Sequence, residues 1–188
     1  MSKSVVLLLF VLCMSCLQAH AQRYLPGMRG VQLTTGAVNG LNAKEGFHTG
    51  MALSTYTQNA NRWVFGVEYL EKRHTYKDLA IPQSQFTVDA GYYLKFLSDH
   101  RKTFFASVGA SAVAGHETVN WNNKLLPDGA TINNSDAFLY GGALTLELEI
   151  YLIDRLVLLA NVRERLLIGS SVGKLNTQFG VGIKFIIN

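Results

Sequence analysis

Charged residues that could do chemistry stand at alternate positions in two neighbouring segments of this sequence. Glu147 and Glu149 are separated by one residue, and so are Arg163 and Arg165. If both segments are strands, the side chains of each pair point to the same face. Because an unpaired charge away from water is costly, we expect these four residues to form an ion-pair network. The same face is expected to carry Glu68, Asp89, Lys95 and Lys184. The network predicts a filled interior, and the alternative interpretation is a proton or ion path.

The histidines and serines give little indication of catalysis. The sequence has no phosphate-binding glycine loop. No pair with metal-binding spacing occurs among the four histidines beyond residue 21, which are His48, His74, His100 and His116. One alternative remains, in which His116 with Ser107 or Ser111 forms a lipid-modifying site at the mouth of a barrel. We otherwise expect no catalytic residue, no metal and no cofactor.

The segment Asp136–Leu152 shows which kind of element positions these charges. Its apolar and small residues recur at every second position, which is the period of a β-strand. A strand of this length exceeds the usual length of about 5–6 residues in globular sheets. It suits a tilted membrane-spanning strand, which needs about 9–11 residues. We therefore interpret it as one strand of an outer-membrane barrel, with the outward set Phe138, Tyr140, Gly142, Leu144, Leu146, Leu148, Ile150 and Leu152.

The rest of the chain repeats this alternation and predicts an all-β, eight-stranded antiparallel transmembrane barrel. The other strands are predicted at about Gly30–Val38, Phe47–Tyr56, Arg62–Lys72, Gln83–Leu97, Thr103–His116, Leu156–Ile168 and Leu175–Ile187. With a periplasmic N-terminus, the short connections Thr57–Asn61, Ser98–Lys102 and Ile153–Arg155 are periplasmic turns. The longer connections His74–Pro82 and Glu117–Ser135 are then external loops, as barrels of this class usually have. We expect Glu117–Ser135 to be the main external contact surface.

Outward-facing aromatic residues support the same interpretation. They fall near both ends of the predicted strands, where rings prefer the membrane interfaces. Near the periplasmic ends these are Trp63, Phe96, Phe104 and Phe185, and near the outer ends Phe47, Tyr69, Phe86, Phe138 and Tyr140. Glu164 is an exception, since its position on the seventh strand also faces outward.

Composition limits the functional class less sharply. The chain has 188 residues, of which 48% are hydrophobic and 16% charged, with 17 glycines and 3 prolines. These values suit a lipid-facing barrel, but they also suit a secreted β-sandwich. The formal charge of +4 is modest and no Lys/Arg cluster follows one face, so direct nucleic-acid binding is not expected.

The first segment has the form of a secretory signal peptide. Lys3 precedes the apolar run Val5–Leu12, and Ala19-His20-Ala21 has the small-x-small pattern of a cleavage site. We expect residues 1–21 to be removed and residues 22–188 to form one barrel domain. Both cysteines, Cys13 and Cys16, lie in the removed segment, so the mature chain has no thiol. Lipidation at Cys16 and an uncleaved anchor are the alternatives.

Several stretches resemble the TraO family, the conjugative-transposon transfer proteins of Bacteroides-type bacteria. The resemblance covers essentially the whole chain and rests on Gln22–Gly30, Asn61–Gly66, Ala90–Leu94, Asp136–Ala143 and Leu159–Arg165. It implies an outer-membrane component of a type IV secretion-like mating apparatus, with a structural or interaction role beside other conjugal transfer proteins. Its surroundings would be the lipid of a Gram-negative, Bacteroides-type outer membrane. A small adhesion or surface-protection barrel, and a barrel enzyme acting on lipid, are the other functional interpretations.

Overall fold

The sheet of this protein closes on itself. The computed structural model describes residues 24–40, 46–76, 79–122, 131, 136–170 and 175–187. Each strand pairs antiparallel with the next, and the first also pairs with the last, which gives a closed eight-stranded barrel. The strands are β1 (Arg29–Val38), β2 (Gly46–Tyr56), β3 (Arg62–Tyr76), β4 (Leu79–Ser98), β5 (Phe104–Val119), β6 (Ala137–Ile153), β7 (Leu156–Ile168) and β8 (Leu175–Ile186). The predicted all-β barrel of outer-membrane type is confirmed.

The barrel wall is apolar outside and polar inside. On β6, Leu144 and Leu146 are 64% and 55% exposed, whereas Glu147 and Glu149 are 2% and 0% exposed. In a soluble protein the hydrophobic side chains face the interior. Here the hydrophobic side chains face away from the closed interior. Period two in the sequence therefore becomes an apolar outer surface and a polar lumen.

The β3–β4 hairpin departs from the prediction. His74–Pro82 was expected to be a loop, but β3 runs to Tyr76 and β4 begins at Leu79. This prediction was wrong, because a proline does not end a strand at an edge position. In the structure Pro82 pairs with Arg73 on β3, and β5 pairs with β4 only from Gln83 onward. Pro82 thus occupies an edge position, where a missing N–H is tolerated.

The predicted loop Glu117–Ser135 is shorter than expected. Glu117–Val119 continue β5, and a 3-10 turn covers Asn120–Asn122. Residues 123–130 and 132–135 lie outside the described part of the chain. The same holds for residues 1–23, so Ala19, Ala21, Cys13 and Cys16 of the predicted signal segment receive no structural account.

The two ends of the barrel differ. At the end that carries the described chain termini, which we call the terminal end, three short connections join β2 to β3, β4 to β5 and β6 to β7. At the opposite end, the loop end, lie the connections between β1 and β2, β3 and β4, β5 and β6, and β7 and β8. Pairing shifts register at the terminal end between Lys95 and Leu97 and between Tyr151 and Ile153. Such bulges are common at barrel rims.

Aromatic side chains project outward at both ends, as predicted. Exposed rings at the terminal end belong to Trp63, Phe96 and Phe185, and at the loop end to Phe86, Phe138 and Tyr140. Glu164 also faces outward, where its carboxylate accepts a hydrogen bond of 2.5 Å from Thr177. Among the described residues no helix is long and apolar enough to cross a membrane, a finding that does not bear on strands.

Candidate functional site: a filled lumen and its mouths

A compact ion cluster lies in the lumen toward the terminal end. We call Arg62, Glu147, Glu149 and Lys184 the terminal-end cluster, and their side chains are at most 2% exposed. Arg62 Nη2 is 2.6 Å from Glu147 Oε1, and Arg62 Nη1 is 3.6 Å from Glu149 Oε2. Lys184 Nζ contacts Glu149 and lies 3.5 Å from Glu147 Oε1. Two cations thus balance two carboxylates, as burial of such groups requires.

A second cluster occupies the middle of the lumen. We call Glu68, Asp89, Arg163 and Arg165 the central cluster. Arg165 Nη1 is 2.5 Å from Glu68 Oε1, and Arg163 Nη2 is 3.0 Å from Asp89 Oδ2. Arg163 Nη1 also approaches Glu68 Oε2 at 3.5 Å. His48 Nδ1 lies 3.7 Å from the same oxygen, so the imidazole borders this cluster.

The four residues predicted to form one network are divided between the two clusters. Glu147 lies opposite Asn161 on β7, and Arg163 lies opposite Thr145 on β6, so the carboxylates and guanidiniums are offset. Their partners come instead from β3, β4 and β8, across the lumen or along the wall. Barrel closure creates these contacts, and spacing along two strands cannot reveal them. Arg62 was missed in the sequence, although it shares the inward parity of Glu68 on β3.

Little free space remains between the clusters. A cavity of about 40 Å³ is lined by Glu68, Asp89, Glu147 and Arg163 among others. That volume holds about one water molecule, whose share of the liquid is about 30 Å³. The Tyr93 ring further fills the lumen over Gly109, where an added Cβ would come within 2.7 Å of the ring. The described lumen is therefore a packed polar core with a small cavity.

An aromatic cluster closes the terminal end. The N-terminal lead folds into the mouth and places the Tyr24 ring 3.9 Å from the ring of Tyr56, in a stacked arrangement. Tyr24 also packs against Phe105 and Tyr151 at centroid distances of 4.9 and 5.3 Å. Its hydroxyl donates a 2.8 Å hydrogen bond to Glu149 Oε2. The N-terminal lead thus reaches the terminal-end cluster through Tyr24.

Polar side chains close the opposite mouth. The Gln85 amide donates to the Glu117 carboxylate at 2.9 Å, and the Ser170 hydroxyl donates to it at 2.8 Å. Lys72 Nζ contacts the Asn176 side-chain carbonyl. Glu117 is fully buried, so the residue at which the external loop was expected to begin belongs to the interior.

The lipid-modifying interpretation is not supported by the placement of its residues. His116 is exposed on the outward face of β5, whereas Ser107 and Ser111 point inward. Ser107 accepts a hydrogen bond from Arg62, and Ser111 accepts one from Arg163, both at 3.1 Å. His116 therefore lies across the sheet from both serines. Among the described residues, no three His, Cys, Asp or Glu side chains form a group that could hold a metal ion.

The sequence as a whole identifies the family to which this filled barrel belongs. The model of the family described as conjugative transposon protein TraO matches residues 25–187. The chain belongs to the TraO family. Membership associates the chain with conjugative-transposon transfer and with the proteins of a conjugal transfer complex. It also suggests a structural rather than an enzymatic protein.

Solved outer-membrane barrels share the fold of this TraO protein. Neisserial surface protein A matches with a TM-score of 0.59 at 14% identity, covering 84% of this chain and 96% of that one. The N-terminal barrel of Pseudomonas aeruginosa OprF gives 0.52 at 13% identity, covering 86% and 98%. Ail of Yersinia pestis, solved with the heparin analogue sucrose octasulfate, gives 0.51 at 9% identity, covering 85% and 95%. These similarities show the fold alone. No curated protein has a sequence that matches this chain significantly.

Proposed function

We propose that this TraO protein is the outer-membrane barrel of a conjugative transposon's mating apparatus, which is type IV secretion-like. In this role it anchors or contacts other transfer proteins and catalyses no reaction. The filled lumen is the observation that carries the proposal. An eight-stranded barrel is just wide enough for side chains, and here two ion clusters leave a cavity of about 40 Å³. A DNA strand or a folded relaxase has no room to pass, so the function resides in the mouths, loops and outer wall.

We also propose the location on which this role depends. Residues 1–21 act as a cleaved signal peptide, and residues 22–188 enter the outer membrane of a Bacteroides-type bacterium. The outward leucines of β6 and the aromatic rings near both ends support contact with lipid acyl chains and headgroups. Direct DNA binding is not part of the role, since the cations of both lumen clusters are paired with carboxylates.

Gene deletion tests the role. A donor lacking this protein should lose transposon transfer, and the full chain supplied in trans should restore it. The restored protein should fractionate with outer membranes and migrate faster on gels before heating than after. Normal transfer by the deletion donor would refute the proposal. Loss of host-surface attachment with normal transfer would instead favour an adhesion barrel.

The loop end supplies a sharper version of the same test. Residues 123–134 follow the described 3-10 turn, so their replacement by a short Gly-Ser linker spares β5 and its buried Glu117. We expect this variant to insert normally but to lose transfer, because loops on a rigid barrel commonly carry recognition. Replacing Asp154–Arg155 in the β6–β7 turn by Gly-Ser is the matched change at the other end and should leave transfer intact. Full transfer by the loop variant would exclude residues 123–134 as the contact surface.

A further inference from the structure

The mouth at the terminal end contains a pocket that the ion clusters do not use. Its volume of about 390 Å³ lies within the range of about 300–1,000 Å³ of small-ligand sites. Three segments converge on it: the N-terminal lead, the β2–β3 connection and the β4–β5 hairpin. The walls consist of Tyr24, Pro26, Gln58, Asn59, Ala60, Lys95, Ser98, Lys102 and Phe105.

The pocket opens at the mouth of the barrel and not through its outer wall. Phe105 is 4% exposed on the inward face of β5, and it lies opposite Ser98 across the β4–β5 pair. Lys95 shares that inward side, and the register shift after it leaves Phe96 and Leu97 both exposed on the outside. The bulge thus keeps Lys95 and Ser98 turned toward the lumen mouth. The pocket faces the aqueous phase at the terminal end.

Lys95 and Lys102 distinguish this mouth from the rest of the interior. Arg62, Arg163, Arg165 and Lys184 each form an ion pair with a carboxylate. Neither lysine ammonium of the pocket has an acceptor or a carboxylate partner among the residues that the structure describes. Among the described residues, the rim around them carries cations at Arg29, Arg101 and Arg155 and carboxylates at Asp99 and Asp154 alone. Asp99 is already engaged by the backbone N–H groups of Thr103 and Phe104, at 2.7 and 3.0 Å.

The backbone of the pocket walls is held in uncommon conformations. Asn59, Ala60 and Lys102 have φ angles of 61°, 62° and 53°, in the left-handed region that disfavours side chains. Conformations of this kind persist only where the surrounding structure imposes them, and they concentrate at ligand sites. Here they turn two connections so that their polar side chains border the same space.

We propose that this pocket binds an acidic peptide segment of a partner protein. Carboxylates of the peptide pair with Lys95 and Lys102, and an apolar side chain packs on the exposed Pro26 and the partly exposed Tyr24. The chain's own preceding residue, Arg23, is basic and does not supply the missing charge. That the partner is a periplasmic protein of the transfer apparatus rests on the proposed function. The binding of an acidic peptide to the pocket does not depend on that function.

Binding of a defined probe tests the pocket directly. The full mature chain in phosphatidylcholine nanodiscs is titrated against a labelled Glu-Glu-Phe-Glu-Glu peptide and its all-Gln analogue, with fluorescence anisotropy as the measurement. We expect the acidic peptide to bind and the analogue not to bind. The K95Q/K102Q variant should bind the acidic peptide about tenfold more weakly or worse. Raising the salt to about 0.5 M, roughly three times the physiological ionic strength, should also weaken binding of the acidic peptide. The matched R101Q/R155Q variant removes two rim cations outside the pocket and should retain most of the affinity.

Other outcomes overturn the proposal. An equal loss of peptide affinity in K95Q/K102Q and R101Q/R155Q would show that the peptide is attracted non-specifically to a basic rim. Protection of Lys95 and Lys102 from acetylation by phosphatidylglycerol nanodiscs, without peptide binding, would show a lipid site. Competition by a single-stranded oligonucleotide at equal charge concentration would show a nucleic-acid site.

Transfer assays separate this inference from the proposed function. If gene deletion abolishes transfer, K95Q/K102Q should reduce it strongly while R101Q/R155Q leaves it near the wild-type level. Normal transfer by a K95Q/K102Q variant that no longer binds peptide would reject the partner assignment and leave the proposed function standing. If the deletion itself has no effect, the proposed function fails while the peptide result remains valid.

Discussion

The terminal-end cluster and the central cluster both place charges inside the barrel, but they differ in burial and surroundings. Glu149 and Lys184 of the terminal-end cluster are fully buried, and the Tyr24 and Tyr56 hydroxyls donate to the Glu149 carboxylate. The small cavity is lined by Glu68, Asp89 and Arg163 of the central cluster but only by Glu147 of the terminal-end cluster, and the Arg163 side chain is 12% exposed. Glu149 and Lys184 thus lie away from the cavity, beside the aromatic rings, whereas the central cluster has room for water. The cost of breaking each should therefore differ.

Replacing Glu149 by Gln should produce the largest loss of stability. Arg62 and Lys184 would then share the single carboxylate of Glu147 in a buried site. Breaking a buried pair in this way costs about 3–5 kcal/mol. Urea unfolding of the barrel, followed by heat-modifiable gel mobility, measures the change. The control is Glu71→Gln, which removes a pair with the half-exposed Arg73 and should cost less than about 1 kcal/mol. Equal effects of the two variants would remove the distinction between sealed and exposed pairs.

Arg163→Gln should have an intermediate effect. Asp89 loses its 3.0 Å partner, but the adjoining cavity lets a water molecule hydrate the carboxylate. We expect a loss of about 2 kcal/mol, measured in the same unfolding assay. A loss as large as that of Glu149→Gln would show that burial by aromatic rings is not what separates the clusters.

Tyr24→Phe should cost about 1 kcal/mol, since it removes one hydrogen bond to a carboxylate that keeps three other partners. The ring stacking on Tyr56 remains in this variant. Tyr24→Ala removes both and should be clearly less stable in urea. If the two variants unfold alike, the hydroxyl and not the ring couples the lead to the barrel.

Asp99→Asn should have the smallest effect and depend on pH. Hydrogen bonds from the Phe104 and Thr103 backbone N–H groups lower the pKa of Asp99 below its ordinary value. The charged form then adds stability above the unfolded-state pKa of about 3.9, and this contribution is lost as pH falls through the lower folded-state pKa. The difference in unfolding free energy between wild type and variant should thus be constant above about pH 5 and shrink on acidification. The same difference in unfolding free energy at pH 7 and at the lowest pH at which the protein still folds would contradict this expectation. The control is Asp154→Asn, which changes an acidic residue in another turn.

Much of the fold could be predicted because the alternation of apolar and polar side chains is visible within each short stretch of sequence. Leu144 and Glu147 on β6 reveal their faces through their neighbours alone, and β7 begins and ends at the predicted residues. The β3–β4 hairpin was mispredicted because Pro82 breaks a central strand but not an edge. Whether Pro82 lies at an edge depends on where β5 ends, which is a property of the assembled sheet.

The sequence by itself determined the closed barrel, the outward-facing side of each strand and the family. Each follows from residues close together along the chain or from their overall order. Only the tertiary structure decided that Glu147 and Glu149 pair with Arg62 and Lys184, that Tyr24 seals one mouth, and that Lys95 and Lys102 border a shared pocket. These contacts join residues far apart in sequence, because closure of β1 onto β8 sets which side chains meet across the lumen.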